Sequence, residues 1–548
     1  MGGRPGAAGG LRSPAMDPRP WIIRRLRLDF AGLTVAAACA VLSLTPSLLP
    51  RTWLFQGIVT GVVAAIGYAF GVLASWLVRQ TASPKPGATL KRHAWWELCT
   101  GGALVLGAAV VGHARIRYPV AGGSEDPWAR VALVPVGIVV FLGLIHCGRS
   151  VVWLTGVVER LLRRVLPAGV AAALAVLTVV PSTVLVLRDG VAGTALSVAD
   201  ASFRSLDRAV TGSPPDPGSL IGWDTLGGKG REFVANTPTA ARIEQVTGRT
   251  AIKPIRVYAG LDSAPTARDR AALAVRELDR TGAFGRAVLC VATTTGTGWI
   301  DERAAGALEY LHGGDTAEVA IQYSYLPSWL SFLVDGRRAQ EAGRELFAAV
   351  RARWAQLPPE HRPKLVVFGE SLGSYGGESA FLGPDDVRRH TDGVLWVGPP
   401  HANALAGQYR AGRDPGSTAA APVVDGGREV RFADGPDDLR GDLSGWAFPR
   451  VLYLQHATDP VVWWDPALLT EEPDWLAEHP GRGVPDGLRW YPVVTFWQLT
   501  VDLLQAQSVP DGYGHRYGPS MVHAWAAIAP PAGWTPADVD RLAATPIS

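Results

Sequence analysis

Lysine, methionine and cysteine are scarce in this chain of 548 residues, which has five lysines, three methionines and four cysteines. The cysteines are scattered without the spacing of a zinc site, so we expect no disulfide framework, no metal site and no cofactor. An excess of charge of one sign is also lacking, because the formal net charge is only +3. This near balance gives no reason to expect nucleic acid as a partner, and the length predicts two or more domains.

Long apolar runs fill the first third of the chain and stop near residue 190. A helix needs about 20 apolar residues to cross a bilayer. Five runs come near or exceed that length, with arginine clusters between them, which favours membrane helices over buried helices of a soluble protein. They predict a transmembrane domain at residues 28–188, after a basic cytoplasmic N-terminus at residues 1–27. The predicted spans are Phe30–Leu49, Trp53–Val78, Leu98–His113, Val131–Ile145 and Pro167–Leu187.

Basic residues are unevenly distributed among the connections between these spans. The N-terminus and the second and fourth connections are rich in arginine and lysine, whereas the first connection has only Arg51. Positive residues favour the cytoplasmic side. An odd number of spans then places the chain after Leu187 on the extracytoplasmic side of the cell membrane. A cleaved signal in place of the first span is the alternative, and the four further apolar runs favour a retained helix.

Short apolar runs alternate with amphipathic stretches from residue 251 onward, after a linker at residues 189–250 that is rich in glycine, proline and serine. Continuous apolar strands separated by helices predict an α/β domain with a mostly parallel sheet, covered on both faces. Ligands of such sheets bind beyond the carboxyl ends of the strands. The predicted strands are Ile255–Ala259, Ala287–Ala292, Glu318–Tyr323, Lys364–Phe368, Gly393–Val397, Val451–Gln455 and Trp490–Val494.

The stretch VVFGESLGSYGGE carries the clearest catalytic pattern. An apolar strand ends at Gly369-Glu370-Ser371-Leu372-Gly373, and a helix rich in small residues follows. This order is typical of a nucleophile elbow, in which a strained turn exposes a serine hydroxyl above a parallel sheet. Glycines are expected at 369 and 373 because a Cβ at either position would strike the neighbouring strand or helix. The pattern predicts Ser371 as a nucleophile, and an ordinary glycine-rich turn is the alternative.

A nucleophilic serine needs a basic histidine and an acid that orients it, and after an elbow of this kind the acid precedes the histidine along the chain. Asp459 follows a predicted strand, at the same rim of the sheet as Ser371, and Asp465 is its rival. Among the later histidines, we favour His515 in the flexible loop DGYGHRYG over His523 in a helix-like stretch. The predicted triad is therefore Ser371, Asp459 and His515.

The tetrahedral intermediate of acyl transfer requires an oxyanion hole. The backbone N–H of Leu372, directly after the nucleophile, is the expected first donor. The second donor normally comes from a loop after an earlier strand, and the glycine-containing loop TTTGTGW fits that position. We therefore nominate the N–H of Thr295 or Gly296, with an ordinary turn as the alternative.

Four separated motifs are the basis of a resemblance: SLTPSLLPRTWLFQG, GWDTLGGKGREFV, VATTTGTGWID and VFGESLGSYGGE. Together they resemble a family of bacterial membrane-anchored α/β-hydrolases of uncharacterised function, found mainly in high-GC Gram-positive bacteria. The resemblance covers nearly the whole chain. It implies a multi-span N-terminal region, an α/β-hydrolase domain at residues 251–548 and a nucleophile at Ser371. A helix-like segment, Thr495–Gln505, departs from the general pattern of that fold because it separates the last predicted strand from His515.

These features favour a serine hydrolase, resembling an esterase or lipase, that acts on an ester or thioester through an acyl-enzyme. Its expected partners are the lipid bilayer and an acyl ester of a lipid or of the cell envelope. An acyltransferase with the same triad, and a sugar or lipid hydroxyl as acceptor, is the second reading. A membrane scaffold that retains the fold without the chemistry is the third. The oligomeric state is not predicted.

Overall fold

The computed structural model describes residues 21–81, 88–119, 131–186, 202, 216–326, 331, 335–441 and 443–547. Parts of the predicted segments fall outside these residues, including 82–87, 120–130, 187 and 188 of the transmembrane domain. Of the basic N-terminus, only residues 21–27 are described. Of the linker at 189–250, residues 189–201 and 203–215 are not.

The chain forms two compact units. The first unit comprises Met1–Thr45, Thr52–Ile116 and Glu125–Gly148. The second comprises Pro46–Arg51, Arg117–Ser124 and Arg149–Ser548. The short segment Pro46–Arg51, from the N-terminal third of the sequence, thus groups with the α/β domain. The last segment of the second unit begins at Arg149, before the boundary predicted at residue 188.

Six helices occupy the described part of the N-terminal region. Four of them, α3 to α6, are long and apolar enough to cross a membrane, whereas α2 has only 14 residues. At about 1.5 Å per residue, α2 is shorter than the hydrocarbon core of a bilayer. The helices are α1 (Trp21–Arg25), α2 (Phe30–Ser43), α3 (Trp53–Thr81), α4 (Ala88–His113), α5 (Leu133–Leu162) and α6 (Ala168–Leu185).

The predicted first span, Phe30–Leu49, is wrong in its extent. The helix ends at Ser43, and Leu48 and Leu49 are fully buried in the second unit. Pro46 explains the early end, because proline has no N–H to donate and disfavours helical dihedral angles in the residue before it. The expected five spans are therefore four helices of sufficient length, within the described residues, and one short apolar helix.

A seven-stranded parallel sheet forms the centre of the second unit, with the strand order β1-β3-β2-β4-β5-β7-β6. Strand β4 lies in the middle of the sheet and is buried along nearly its whole length. The strands are β1 (Ile255–Ala259), β2 (Val288–Thr293), β3 (Thr316–Ile321), β4 (Lys364–Glu370), β5 (Gly393–Val397), β6 (Val430–Ala433) and β7 (Arg450–Leu454).

The helices of this unit pack in two groups, as expected of a parallel sheet with both faces covered. Helix α11 contacts α9 and α12 in one group, and α18 contacts α10 and α19 in the other. The predicted fold class, a helical region with membrane-type spans followed by a mostly parallel α/β domain, is confirmed. The helices are α7 (Gly227–Ala235), α8 (Ala240–Thr247), α9 (Ala267–Arg280), α10 (Glu302–Leu311), α11 (Gly336–Ala355), α12 (Leu372–Glu378), α13 (Pro384–His390), α14 (Ala404–Ala411), α15 (Pro460–Trp463), α16 (Asp474–Ala477), α17 (Val494–Gln505), α18 (Ser520–Ile528) and α19 (Pro536–Ala543).

Six of the seven predicted strands are present, two with the predicted bounds and four with ends that differ by one or two residues, but Trp490–Val494 is not a strand. Pro492 cannot donate to a sheet ladder, and Val493 has a positive φ of 65°. Helix α17 begins directly at Val494. The seventh strand is instead β6, a half-buried edge strand that the sequence analysis missed.

A second apolar cluster lies apart from the main core of the sheet. It combines side chains of the short segment at residues 46–51 with side chains from the chain after β7, including helices α15 and α17. Its buried members are Leu48, Leu49, Val462, Trp463, Leu468, Trp475, Leu476, Leu488, Leu499 and Val509.

Candidate active site

Ser371 lies at the turn between the central strand β4 and helix α12. Its φ and ψ are 54° and −126°, a strained conformation that is rare for a residue with a side chain. The backbone N–H of Ser371 donates to the carbonyl oxygen of Val397, at the end of β5, over 2.8 Å. The strand end, the strained serine and the helix start reproduce the geometry of a nucleophile elbow.

The glycines of the elbow allow the backbone to turn this tightly. A Cβ at Gly369 would lie 2.5 Å from the carbonyl oxygen of Gly373. A Cβ at Gly373 would lie 2.3 Å from the carbonyl oxygen of Thr293. Both contacts are with backbone atoms, which cannot swing away. Any side chain at either position would therefore force the elbow apart.

Asp459 and His515 are 56 positions apart in the sequence and in direct contact in the structure. The Nδ1 of His515 lies 2.6 Å from Oδ2 of Asp459. Asp459 is fully buried just after β7, and its Oδ1 accepts from the backbone N–H of Val461 over 2.9 Å. Because a carboxylate only accepts hydrogen bonds, Nδ1 carries the proton and Nε2 is left as the basic nitrogen.

Burial raises the pKa of Asp459, but the opposing interactions are stronger, and the pKa lies below the usual value for aspartate. The charge and hydrogen bond of His515 contribute most to this lowering, followed by hydrogen bonds from Tyr517 and Val461. The hydroxyl of Tyr517 donates to Oδ2 over 2.7 Å. A buried carboxylate with three donors stays ionised at neutral pH and can orient an imidazole.

The imidazole of His515 also lies beside the loop that follows β5. A Cβ at Gly398, whose φ is 50°, would lie 2.4 Å from Cε1 of His515. Gly398 directly follows Val397, whose carbonyl oxygen binds the backbone of Ser371. The structure thus brings the predicted nucleophile, acid and base to one rim of the sheet, where the carboxyl ends of β4, β5 and β7 meet.

The rival residues have other partners. Asp465 lies 3.6 Å from Nε2 of His401, and its Oδ1 caps the next short helix through the N–H of Ala467. His523 lies on α18 with its Nε2 2.8 Å from Oδ1 of Asp540. Neither rival contacts the pair formed by Asp459 and His515, so the geometry favours the residues that the sequence analysis ranked first.

Profiles of protein families agree with this geometry. The alpha/beta-hydrolase family matches residues 255–542, and the N-terminus of the alpha/beta-hydrolase family matches residues 44–238. The chain belongs to the alpha/beta-hydrolase family. No curated protein and no solved structure matches the chain significantly. These matches show the α/β-hydrolase fold, and they do not identify a substrate.

The nominated oxyanion-hole donors have different surroundings in the structure. The N–H of Thr295 donates to the carbonyl oxygen of Trp299 over 3.0 Å, so it is engaged inside its own turn. Gly296 is buried, and a Cβ there would lie 2.7 Å from the carbonyl oxygen of Leu326. The N–H of Leu372 has no partner within α12, because it begins that helix. The N–H of Thr295 is therefore already engaged, whereas the N–H of Leu372 is left without a partner in its own helix.

Two residues of the hydrolase site escaped the sequence analysis. Tyr517 holds Asp459, and His456 stacks on its ring with the centroids 4.1 Å apart. Nδ1 of His456 donates to the carbonyl oxygen of Gly514 over 2.8 Å, which supports the residue before His515. Burial lowers the pKa of His456 to about 4, so this histidine is neutral at pH 7. The only local signal for either residue was its nearness in sequence to Asp459 or His515.

Glu370, directly before the nucleophile, is buried beneath the site. Burial raises its pKa well above the usual value, and the nearby carboxylates of Asp301 and Asp459 raise it further. Glu370 therefore keeps its proton to higher pH than an ordinary glutamate. The carboxylate in contact with His515 is Asp459.

A cavity of about 580 Å³ lies beside the acid loop of the hydrolase. Its apolar lining includes Trp463, Leu468 and Trp475, and its polar lining includes His401 and Arg410. A cavity of this size and mixed character can hold part of a small organic molecule. Another cavity, of about 200 Å³, lies near β1.

Proposed function

We propose that the protein is a membrane-anchored serine hydrolase that cleaves an ester or thioester through an acyl-serine intermediate. The contact of 2.6 Å between His515 and Asp459, at the rim where the elbow presents Ser371, is the observation that carries this proposal. An imidazole fixed in this tautomer has its basic nitrogen available for a hydroxyl proton.

In the proposed first half-reaction, Nε2 of His515 takes the proton of the Ser371 hydroxyl while Oγ bonds to the acyl carbon. The negative charge moves to the acyl oxygen, where the N–H groups of Leu372 and Gly296 would stabilise it. The imidazolium then gives its proton to the leaving alcohol or thiol, and the acyl-serine forms. Water repeats these steps with His515 as base, which releases the acid and restores Ser371.

The substrate class follows from location. Four apolar helices in the same chain would keep the site close to a bilayer, so acyl esters of lipids or of the cell envelope are the proposed substrates. The cavity lined by Trp463 and Trp475 offers room for part of such a molecule.

We further propose that the catalytic domain faces the outside of the cell membrane. Residues 46–51 fold with the catalytic domain, and four spans separate them from it in sequence. An even number of crossings returns the chain to the same side, which supports this proposal. The connection after α3 is basic, and so are the second half of α5 and the residues after it, from Arg149 to Arg164, so we place these parts on the cytoplasmic side. The segment at 46–51 then lies outside, whether or not α2 crosses. A membrane-impermeant fluorophosphonate should label intact cells, and labelling only after permeabilisation would contradict this side.

Probe labelling of the detergent-solubilised protein tests the chemistry. A fluorophosphonate should label the wild type and not Ser371→Ala. Ser379→Ala is the matched control, because its hydroxyl donates to the carbonyl oxygens of Gln340 and Gly376 and it should label normally. Absence of labelling in the wild type, or equal labelling of Ser371→Ala, would favour a scaffold without catalysis.

A series of acyl esters then measures turnover. Asp459→Asn and His515→Ala should each lower kcat about 10³-fold or more. Asp465→Asn and His523→Ala, the rival residues, should retain activity and serve as matched controls. Product analysis with and without an acceptor alcohol separates hydrolysis from acyl transfer.

A further inference from the structure

A short segment from the N-terminal third of the sequence is built into the catalytic unit. Pro46–Arg51 lies between α2 and α3 in the sequence and folds with the second unit. Leu48 and Leu49 are fully buried in the second apolar cluster. That cluster includes Val462 and Trp463, which closely follow Asp459, and Val509, which precedes His515. The segment therefore shares an apolar core with the chain that connects Asp459 to His515.

A buried ion pair anchors this segment to helix α17. Nε of Arg51 lies 2.6 Å from Oδ1 of Asp502, and the two side chains are 1% and 0% exposed. The other carboxylate oxygen accepts from the hydroxyl of Ser47 and from the backbone N–H of Leu49. A charge pair buried this completely is costly to break, because the remaining charge stays without compensation. The anchor therefore fixes the segment on one face of α17.

The end of the same helix holds the histidine loop. The carbonyl oxygen of Ala506, directly after α17, accepts from the backbone N–H of His515 over 2.8 Å. A Cβ at Gly514 would lie 2.6 Å from that oxygen, so the two backbones are in close contact. A shift of α17 would consequently move the backbone of His515 relative to Asp459.

We propose that Pro46–Arg51 is a positioning element of the active site, which holds α17 and thereby sets the place of His515. This inference rests on the proposed hydrolase function and adds to it a dependence on the N-terminal region. Arg51 and Leu48 contact no reacting atom in this scheme. They act through the helix and the histidine loop.

The experiment compares the full-length wild type with Arg51→Gln in detergent, well below the melting temperature of either. We expect kcat for ester hydrolysis to fall about 10-fold or more with KM nearly unchanged, because small displacements of a catalytic group reduce the rate steeply. Hydrogen exchange should rise in residues 494–515. Arg51→Lys should recover part of the rate. Arg79→Gln is the matched control, since it removes an exposed contact of 3.6 Å with Asp29 in the first unit.

Leu48→Ala provides a second, uncharged variant in case Arg51→Gln does not fold, and the same combination of effects is expected. Wild-type kcat together with raised exchange would show a merely structural role and overturn the proposal. Unchanged exchange in residues 494–515 would overturn it as well. Failure of the hydrolase proposal is recognised separately, by absence of fluorophosphonate labelling in the wild type.

Discussion

Alanine at Gly398 should disable the site although no catalytic residue is replaced. The new Cβ would lie 2.4 Å from Cε1 and 2.7 Å from Nδ1 of His515, whereas ordinary contacts begin at 3.4 Å. The imidazole would have to retreat by about 1 Å, and a misplacement of that size can cost about 10²-fold in rate. We therefore expect kcat of Gly398→Ala to fall about 10²-fold, with a smaller effect on KM.

The same substitution also carries a backbone cost, which has to be measured apart from the rate. Gly398 has a φ of 50°, and a left-handed conformation costs a residue with a side chain about 1–2 kcal/mol. Thermal unfolding in detergent measures this loss of stability. The kinetic assay is then run well below the melting temperature, so that the folded fraction does not limit the rate.

Gly248→Ala is the matched control for this experiment. Gly248 follows α8 with a φ of 67°, and a Cβ there meets no atom within 4 Å, so alanine should leave kcat unchanged. Its stability should fall by a similar amount, about 1–2 kcal/mol, because the backbone conformation is also left-handed. Wild-type turnover by Gly398→Ala would refute the placement of His515 against the β5 loop, and with it the proposed base.

Three further predictions concern the groups around the pair. Tyr517→Phe removes a donor that lowers the pKa of Asp459, so less stability should be lost in acid below the ordinary aspartate pKa than in the wild type. Thermal unfolding at a series of acidic pH values measures this, and a slope equal to that of the wild type would contradict the contact. Glu370→Gln should become more stable relative to the wild type as the pH rises above 4.5, by up to about 1.4 kcal/mol per pH unit, because there the glutamate ionises only in the unfolded chain. Thermal unfolding at a series of pH values measures the difference in stability between the two proteins, and a difference that does not change with pH would contradict this prediction. The wild type should lose stability as the pH falls from 6.5 to about 4, because in that range only the unfolded chain protonates the imidazole of His456. This loss should be smaller in His456→Asn, and an equal dependence of stability on pH in both proteins would exclude His456 as the cause.

The elbow could be predicted because all of its determinants are local. The strand, the two glycines, Ser371 and the helix start lie within 13 consecutive residues, and each of them restricts the backbone of the next. The structure adds the dihedral angles of Ser371 and the close backbone contacts of Gly369 and Gly373.

The acid and the base could only be narrowed to a few residues. Chain order and strand ends favoured Asp459 and His515, but Asp465 and His523 satisfied the same order. Asp465 contacts His401, and His523 contacts Asp540; both contacts depend on how separate segments of the chain fold together. Tyr517 lay two residues from His515 and still gave no signal, because tyrosines in loops are more often packing residues.

Two apolar segments were misread for a related reason. Apolar composition indicates that a segment is buried, but it does not distinguish burial in a bilayer from burial in the core of the protein. Leu48 and Leu49 resemble the end of a membrane helix, yet they are buried in the second apolar cluster. Trp490–Val494 resembles a strand, yet it pairs with no strand that the structure describes. The indole N–H of Trp490 donates to the carbonyl oxygen of Leu468, and helix α17 begins at Val494.

The sequence by itself determined the order of apolar helices and α/β units and the position of the strained serine, because periodicity, glycine and proline act over a few neighbouring residues. Only the tertiary structure decided which acid holds which histidine, and that Arg51 meets Asp502 across 451 positions. Such pairings are selected by the burial of whole surfaces and by the need of each buried charge for a partner, and both depend on the complete fold.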